Sequence, residues 1–219
     1  MNEQELIEKY GLDIEALKKE QIKLSKAIIL KDALDISLIS KFGAIENILV
    51  GNQIISAVIV CDKEFNILEQ QYALDKLRFP YLMEFRSYRE LPSMIEAFNK
   101  LAERPDVMFI KGHGTTHPRL GLASHFALIS NTPTIGITEN LFEGNKVEGE
   151  YILKDNKKAG MILQTKEKAN PIYISSGGNI SLTSAYNLTR NNVTPPHKLP
   201  QPLHLVHKYA KSVKDELKL

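Results

Sequence analysis

The chain has 219 residues, of which 43% are hydrophobic and 25% charged. That balance excludes a disordered chain, a collagen and a disulfide scaffold, and the length suffices for a full hydrophobic core. Lys plus Arg total 28 against 26 Asp plus Glu, a net charge of +2, which excludes a binder driven by bulk charge and leaves room for a local basic groove.

A single cysteine, Cys61, can build neither an internal disulfide nor a multi-cysteine metal site, and it points to a reducing, cytoplasmic setting. The N-terminal MNEQELIEKYGLD is acidic and polar, without the basic-then-apolar order of a signal peptide. No apolar run approaches the roughly 20 residues that span a membrane.

Residues 3–28 place Leu6, Ile7, Ile14, Leu17, Ile22 and Leu24 at helical spacing. Gly11 and Asp13 predict a turn between two helices. Residues 29–43 read as a connector. GAIENILV (43–50), IISAVIVCD (54–62) and FNILEQQYAL (65–74) are three apolar runs parted by Gly51-Asn52 and Lys63-Glu64. Two short turns between three runs predict an antiparallel meander.

The pattern then changes. SMIEAFNKLAERP (93–105) predicts an amphipathic helix, DVMFI (106–110) a buried strand, RLGLASHFALIS (119–130) a helix and TPTIGI (132–137) another buried strand. Strands alternating with helices imply parallel pairing. AGMILQTK (159–166) and NPIYISS (170–176) are further strands, with helices at 181–191 and 201–217 and a proline-rich loop between them. The expectation is one α/β domain over 1–219 with a ribonuclease H-like fold: a mixed sheet, an antiparallel three-stranded meander followed by parallel strands, flanked by helices.

KGHGTTHPRLGLASH (111–125) is the densest chemical patch, with Lys111, His113, His117, Arg119 and His125 around Gly112 and Gly114. It leaves the carboxyl end of a predicted buried strand, where α/β sheets usually bind ligands. Read alone, it is also compatible with a turn, a helix start and surface histidines. The i, i+4 spacing of His113 and His117 hints at zinc, but Pro118 and the glycines argue against one helix across them. FPYLMEFRSYRELP (79–92) interleaves Phe79, Tyr81, Phe85 and Tyr88 with Arg86 and Arg89. Aromatics among arginines suit base stacking and phosphate contact, although such a segment taken alone is more often a core-packing loop with solvated arginines. Glu46 interrupts the first apolar strand, facing either solvent or a site.

Together, FPYLMEFRSYRELP, PDVMFIKGHGTTHPRLGLASH, TPTIGI, PIYISSGG and LPQPLHLVH resemble the endonuclease V family over most of residues 15–210. Its members are deoxyinosine 3′-endonucleases that also cut inosine-containing RNA. The resemblance implies Mg²⁺ or Mn²⁺ as cofactor, inosine-containing DNA or RNA as partner, and a monomer. It makes Tyr81 a base-separating wedge in Pro80-Tyr81-Leu82-Met83, where the family has Pro-Tyr-Ile-Pro. It makes Glu90 the catalytic glutamate of Tyr88-Arg89-Glu90, keeps His117-Pro118-Arg119 intact, and matches His207 to a late histidine near the metal. Arg86, Arg89, Gly112, Gly114, Gly177 and Lys166 join the implied nucleic-acid contacts.

The departures concern the metal site. The family's first-strand aspartate becomes Glu46 in the ungapped alignment; a rival alignment through Gly51-Asn52-Gln53 offers no carboxylate. The aspartate of Asp-Gly-x-Gly becomes Lys111, the family's lysine becomes Glu139, and Ser-Pro-Gly-His becomes Ser175-Ser176-Gly177-Gly178. Glu46 and Glu90 remain as metal ligands if any metal binds. A lysine at a metal position adds repulsion: two unit charges about 4 Å apart interact by about 4 kcal/mol at an effective dielectric near 20, and a divalent ion doubles it. The expectation is therefore a nucleic-acid binder whose cleavage is silenced and which holds no metal, with the Lys111 ammonium in the metal's place between Glu46, Glu90 and Glu139. An active site rebuilt on Glu46, Glu90 and Glu139, or a protein-interaction scaffold, are the alternatives.

Overall fold

Gly51 and Asn52 form a two-residue hairpin. They join β1 (Phe42–Val50) to β2 (Gln53–Cys61), with Val50 opposite Gln53 and Gly51 at a φ of 57°. Only a residue tolerant of positive φ fits there, so glycine sets the register of the whole pair. Because Gly51 occupies the turn, Glu46 is the carboxylate within β1, opposite Ala57. The computed structural model describes residues 3–219. Met1 and Asn2, with which the N-terminal segment begins, lie outside the described residues.

The meander is completed by β3 (Ile67–Lys76), antiparallel to β2. β4 (Val107–Lys111) and β5 (Thr134–Thr138) then run parallel to β1. Further along come β6 (Lys146–Glu148), β7 (Tyr151–Lys154), β8 (Lys157–Leu163) and β9 (Ile172–Gly178), and β9 pairs antiparallel with β5. All nine strands share one sheet in the order β3-β2-β1-β4-β5-β9-β8-β7-β6. The β6 and β7 hairpin was not expected from the sequence. Its strands are short and β6 is exposed throughout, so no apolar alternation marks it. Asp155 and Asn156, both at positive φ, turn β7 into β8; they are among the few non-glycine residues that tolerate this region.

Helices cover both faces. α1 (Glu3–Tyr10) and α2 (Ile14–Ser25) meet at Gly11, and the Asp13 carboxylate caps α2 by accepting from the Ala16 N–H at 2.9 Å. α3 (Arg86–Asn99) and α4 (Leu122–Ser130) pack Leu91, Met94, Phe98, Leu122 and Phe126 against Ile45, Met108 and Ile110. α5 (Leu182–Asn191) and α6 (Gln201–Glu216) pack Leu188, Leu203 and Val206 against Ala44, Phe109 and Ile137 on the other face. α3 begins seven residues earlier than expected, because Pro92 lies inside the helix instead of ahead of it. Arg86 and Glu90 thereby become neighbours one helical turn apart.

Gly177 in β9 is a contact point between strand and helix. A Cβ there would lie 2.8 Å from the Thr134 carbonyl oxygen and 2.9 Å from that of Ala123. Neither backbone can yield cheaply. Gly177→Ala is expected to destabilise the protein by about 1–3 kcal/mol, the usual range for overpacking, read as a lower urea midpoint with unchanged slope.

Candidate functional site

The parallel strands end together. Ile45 pairs with Ile110 and Lys111 with Ile137, so Glu46, Lys111 and Glu139 arrive at one edge of the sheet. Side chains alternate along a strand, which turns Glu46 and Lys111 to the face of Ala44 and Phe109, under α6. With Glu139 and with His207 of α6 they line a cavity of about 240 Å³, whose other walls include His197, Lys198 and His204. The Lys198 ammonium donates to Glu139 Oε1 at 2.7 Å, and Lys111 Nζ stands 3.8 Å from Glu139 Oε2. The hydrogen bond from Lys198 holds Glu139 below the ordinary glutamate value; partial burial opposes this, and the charges of Lys198 and Lys111 add to it. His207 Nδ1 lies 3.4 Å from Glu46 Oε1, and the His197 and His204 rings stack at 3.6 Å.

Glu90 is on the opposite face. Asn47, the residue after Glu46, points there and donates to Glu90 Oε2 at 2.8 Å, while Ser56 Oγ donates to Asn47 Oδ1 at 2.7 Å. Arg86 grips the same carboxylate with both arms, Nε to Oε1 at 2.5 Å and Nη2 to Oε2 at 2.9 Å. The Glu90 side chain is 5% exposed. A carboxylate so buried costs several kcal/mol unless paired and hydrogen-bonded, and here both oxygens are satisfied. Burial disfavours the Arg86 charge, but the hydrogen bonds and charge of Glu90 outweigh it and raise Arg86 above the ordinary arginine value.

The expectation that Glu46, Glu90 and Glu139 jointly hold Lys111 is therefore corrected. Only Glu139 stands at ion-pair distance from the ammonium; Glu46 faces His207, and Glu90 is spent on Arg86 and Asn47. Among the described residues no group of three or more His, Cys, Asp or Glu is placed to hold a metal ion. With Lys111 at the strand edge and Glu90 neutralised by arginine, the residues present do not fit a divalent cation, which needs several free oxygen ligands.

A second cavity, of about 250 Å³, shares Lys111 and Glu139 with the first. Tyr81, Met83, Arg86, His113 and Phe142 complete its walls. Phe142 makes T-shaped contacts with the rings of both His113 and His117, with centroids 5.3 and 4.8 Å apart. The Lys111–Glu139 pair is thus the junction between a histidine-lined cavity and an aromatic one.

A sequence model of the family described as Endonuclease V matches residues 15–208. The chain belongs to the endonuclease V family. It is 32% identical over 222 residues to endonuclease V of Thermosipho melanesiensis, covering 96% of this chain and 93% of that one. Among solved structures, endonuclease V of Bacillus subtilis superposes with a TM-score of 0.85 at 24% identity, over 95% of each chain. Endonuclease V of Ciona intestinalis, solved with a 24mer DNA containing an inosine followed by a ribo-adenosine, superposes with a TM-score of 0.83 at 20% identity, over 93% of this chain and 98% of that one. The fold is thereby ribonuclease H-like.

The residues matched to the endonuclease V motifs fall into two groups. Tyr81 is 55% exposed beside Arg89, whose guanidinium stands 5.7 Å from its ring. Arg86 and Lys111 also reach the cavities. The others are packed. Leu82 is 4% exposed, so it presents no surface for a wedge. Arg119 binds Glu84 and, at 2.7 Å, Gln21 Oε1, and covers Phe85, tying α2 to the start of α3. Gly112 backs onto Leu122, and the Gly114 N–H donates to Ser175 Oγ at 2.9 Å. A Cβ on Gly114 would fall 2.1 Å from the Ser176 carbonyl oxygen, so close packing on β9 requires glycine there. His117 is buried with its Nδ1 accepting from the Arg119 N–H, and His125 bonds Ser87. Lys166 is exposed in the loop after β8.

His197, Lys198 and Phe142 were not anticipated as site residues. The first two sit in the proline-rich loop, and only the fold of that loop over the strand edge recruits them. Phe142 carried no signal, since a lone aromatic after a strand is ordinary.

Burial pushes His113 down to about 4, with the Arg86 charge adding, and His117 down to about 3, with His113, Arg119 and Lys154 adding. Both are neutral at pH 7. Their unfolded values lie near 6.5, so the unfolded chain binds more protons below that pH and stability falls as pH falls. The melting temperature is expected to decline progressively from pH 6.5 towards pH 4, and His117→Asn to flatten that decline; scanning calorimetry across the window checks both.

Proposed function

We propose that this protein, as one domain over 1–219, binds inosine-containing or otherwise deaminated or structured DNA or RNA in the cytoplasm and does not cut it. The observation that carries this reading is the paired state of the strand-edge charges. Lys111 is matched by Glu139, and Glu90 is fully engaged by Arg86 and Asn47. Metal-dependent phosphodiester cleavage needs carboxylates free to hold Mg²⁺ or Mn²⁺. Here Lys111 and Arg86 supply the positive charge instead.

The recognition half of the reading rests on the aromatic cavity. Tyr81 is exposed at its mouth, and Phe142 and His113 form its wall. A flipped base is held by stacking in such a pocket. The endonuclease V of Ciona intestinalis, a family member solved in complex with inosine-containing DNA, supports nucleic acid as the ligand class.

An end-labelled oligonucleotide with a single inosine, in DNA and RNA versions, tests this on a denaturing gel with Mg²⁺ and then Mn²⁺, alongside a native gel of the same probe. The expected outcome is a gel-shifted but intact probe. A cut one phosphate beyond the 3′ side of the inosine, abolished in Glu90→Ala, would establish instead an active site rebuilt on Glu46, Glu90 and Glu139. Absence of salt-dependent binding would establish a scaffold.

A further inference from the structure

We propose that Lys111 Nζ and the Nη1 nitrogen of Arg86 form a metal-independent clamp for one nucleic-acid backbone phosphate at the aromatic cavity. This rests on the nucleic-acid reading above and goes beyond it by naming the group the site takes and the atoms that take it.

Both cations line the same cavity of about 250 Å³, with Tyr81 and Phe142. Each keeps donors in hand. Lys111 stands 3.8 Å from Glu139, beyond hydrogen-bond length, and makes no hydrogen bond to any described residue; its side chain is 45% exposed. Its three N–H donors are therefore available. Arg86 spends Nε and Nη2 on Glu90, which leaves both hydrogens of Nη1 without a partner among the described residues, and its side chain is 36% exposed. The Glu90 grip also fixes the orientation of the guanidinium plane, so little side-chain entropy remains to be lost when an anion arrives.

The charges favour an anion at this point. Arg86, Lys111 and Lys198 place three positive charges around the cavity against the two negative charges of their partners Glu90 and Glu139, while His113 is neutral. Glu139 is already engaged by Lys198 through the shorter contact, 2.7 Å against 3.8 Å, so it offers Lys111 only a loose counter-charge. A phosphodiester carries one negative charge and two unbridged oxygens, which match one ammonium and one guanidinium arm. The adjoining aromatic walls suit the base of the same nucleotide.

The test measures fluorescence anisotropy of a labelled single-stranded, inosine-containing oligonucleotide against salt concentration, in EDTA and in Mg²⁺. Wild-type protein is expected to bind equally in both. Each phosphate contact on a single strand contributes about 0.7 to the slope of log K against log salt. Lys111→Met should flatten that slope by up to this amount in EDTA, whereas Arg86→Lys, which keeps a cation beside Glu90 but removes the Nη1 donors, should weaken binding several-fold with the slope nearly kept. Lys63→Met, in the turn at the far end of β2, should leave it unchanged. Thermal melting of every variant separates a lost contact from a lost fold, and Arg86→Lys guards against misfolding of Lys111→Met. Wild-type binding with the slope unaltered in folded Lys111→Met and the affinity unaltered in folded Arg86→Lys would overturn the clamp and leave the nucleic-acid reading standing. Wild-type binding that vanishes in EDTA would also overturn the clamp alone. Absence of wild-type binding in both buffers would overturn the nucleic-acid reading itself.

Discussion

Local electroneutrality at the strand edge organises this site. Parallel pairing of β1, β4 and β5 brings Glu46, Lys111 and Glu139 to one line, close enough for each charge to be offset by a neighbour. The chain answers with its own cations. Lys111 and Lys198 flank Glu139, and Arg86 closes on Glu90 from one turn of helix away. The histidines follow the same logic, since burial near Arg86, Arg119 and Lys154 keeps His113 and His117 neutral.

The two faces of the sheet divide the labour. Glu46 looks towards α6 and His207, while the adjacent Asn47 looks towards α3 and Glu90. Strand alternation therefore sends two neighbouring residues to different networks. The Lys111–Glu139 pair is the point where the cavities on either side meet. An extended ligand lying along the edge would pass from a histidine-lined space to an aromatic one over that pair.

Several features were legible because their cause is local. The Gly51-Asn52 hairpin, the two N-terminal helices and the alternating strands and helices were readable from spacing and turn residues. Of the expected cluster around Lys111, only the Glu139 contact formed. The partition of the site was not readable. Pro92 suggested a loop where α3 already runs, and that hid the one-turn spacing of Arg86 and Glu90. Leu82, Gly112, Gly114 and Gly177 were expected at a nucleic-acid surface, but tertiary packing buries them, and Arg119 is engaged by Gln21 and Glu84.

By itself, the sequence determined the family, the antiparallel meander and the placing of a lysine, Lys111, at the end of a buried strand. These depend on residue identity and short-range periodicity, which a linear reading preserves. Only the tertiary structure decided which carboxylate each cation meets. Asn47 and Glu90 are 43 residues apart, and Lys198 and Glu139 are 59 apart. Their contacts exist because α3 and the proline-rich loop pack on opposite faces of one sheet, and no local rule of spacing encodes which face a distant segment will cover.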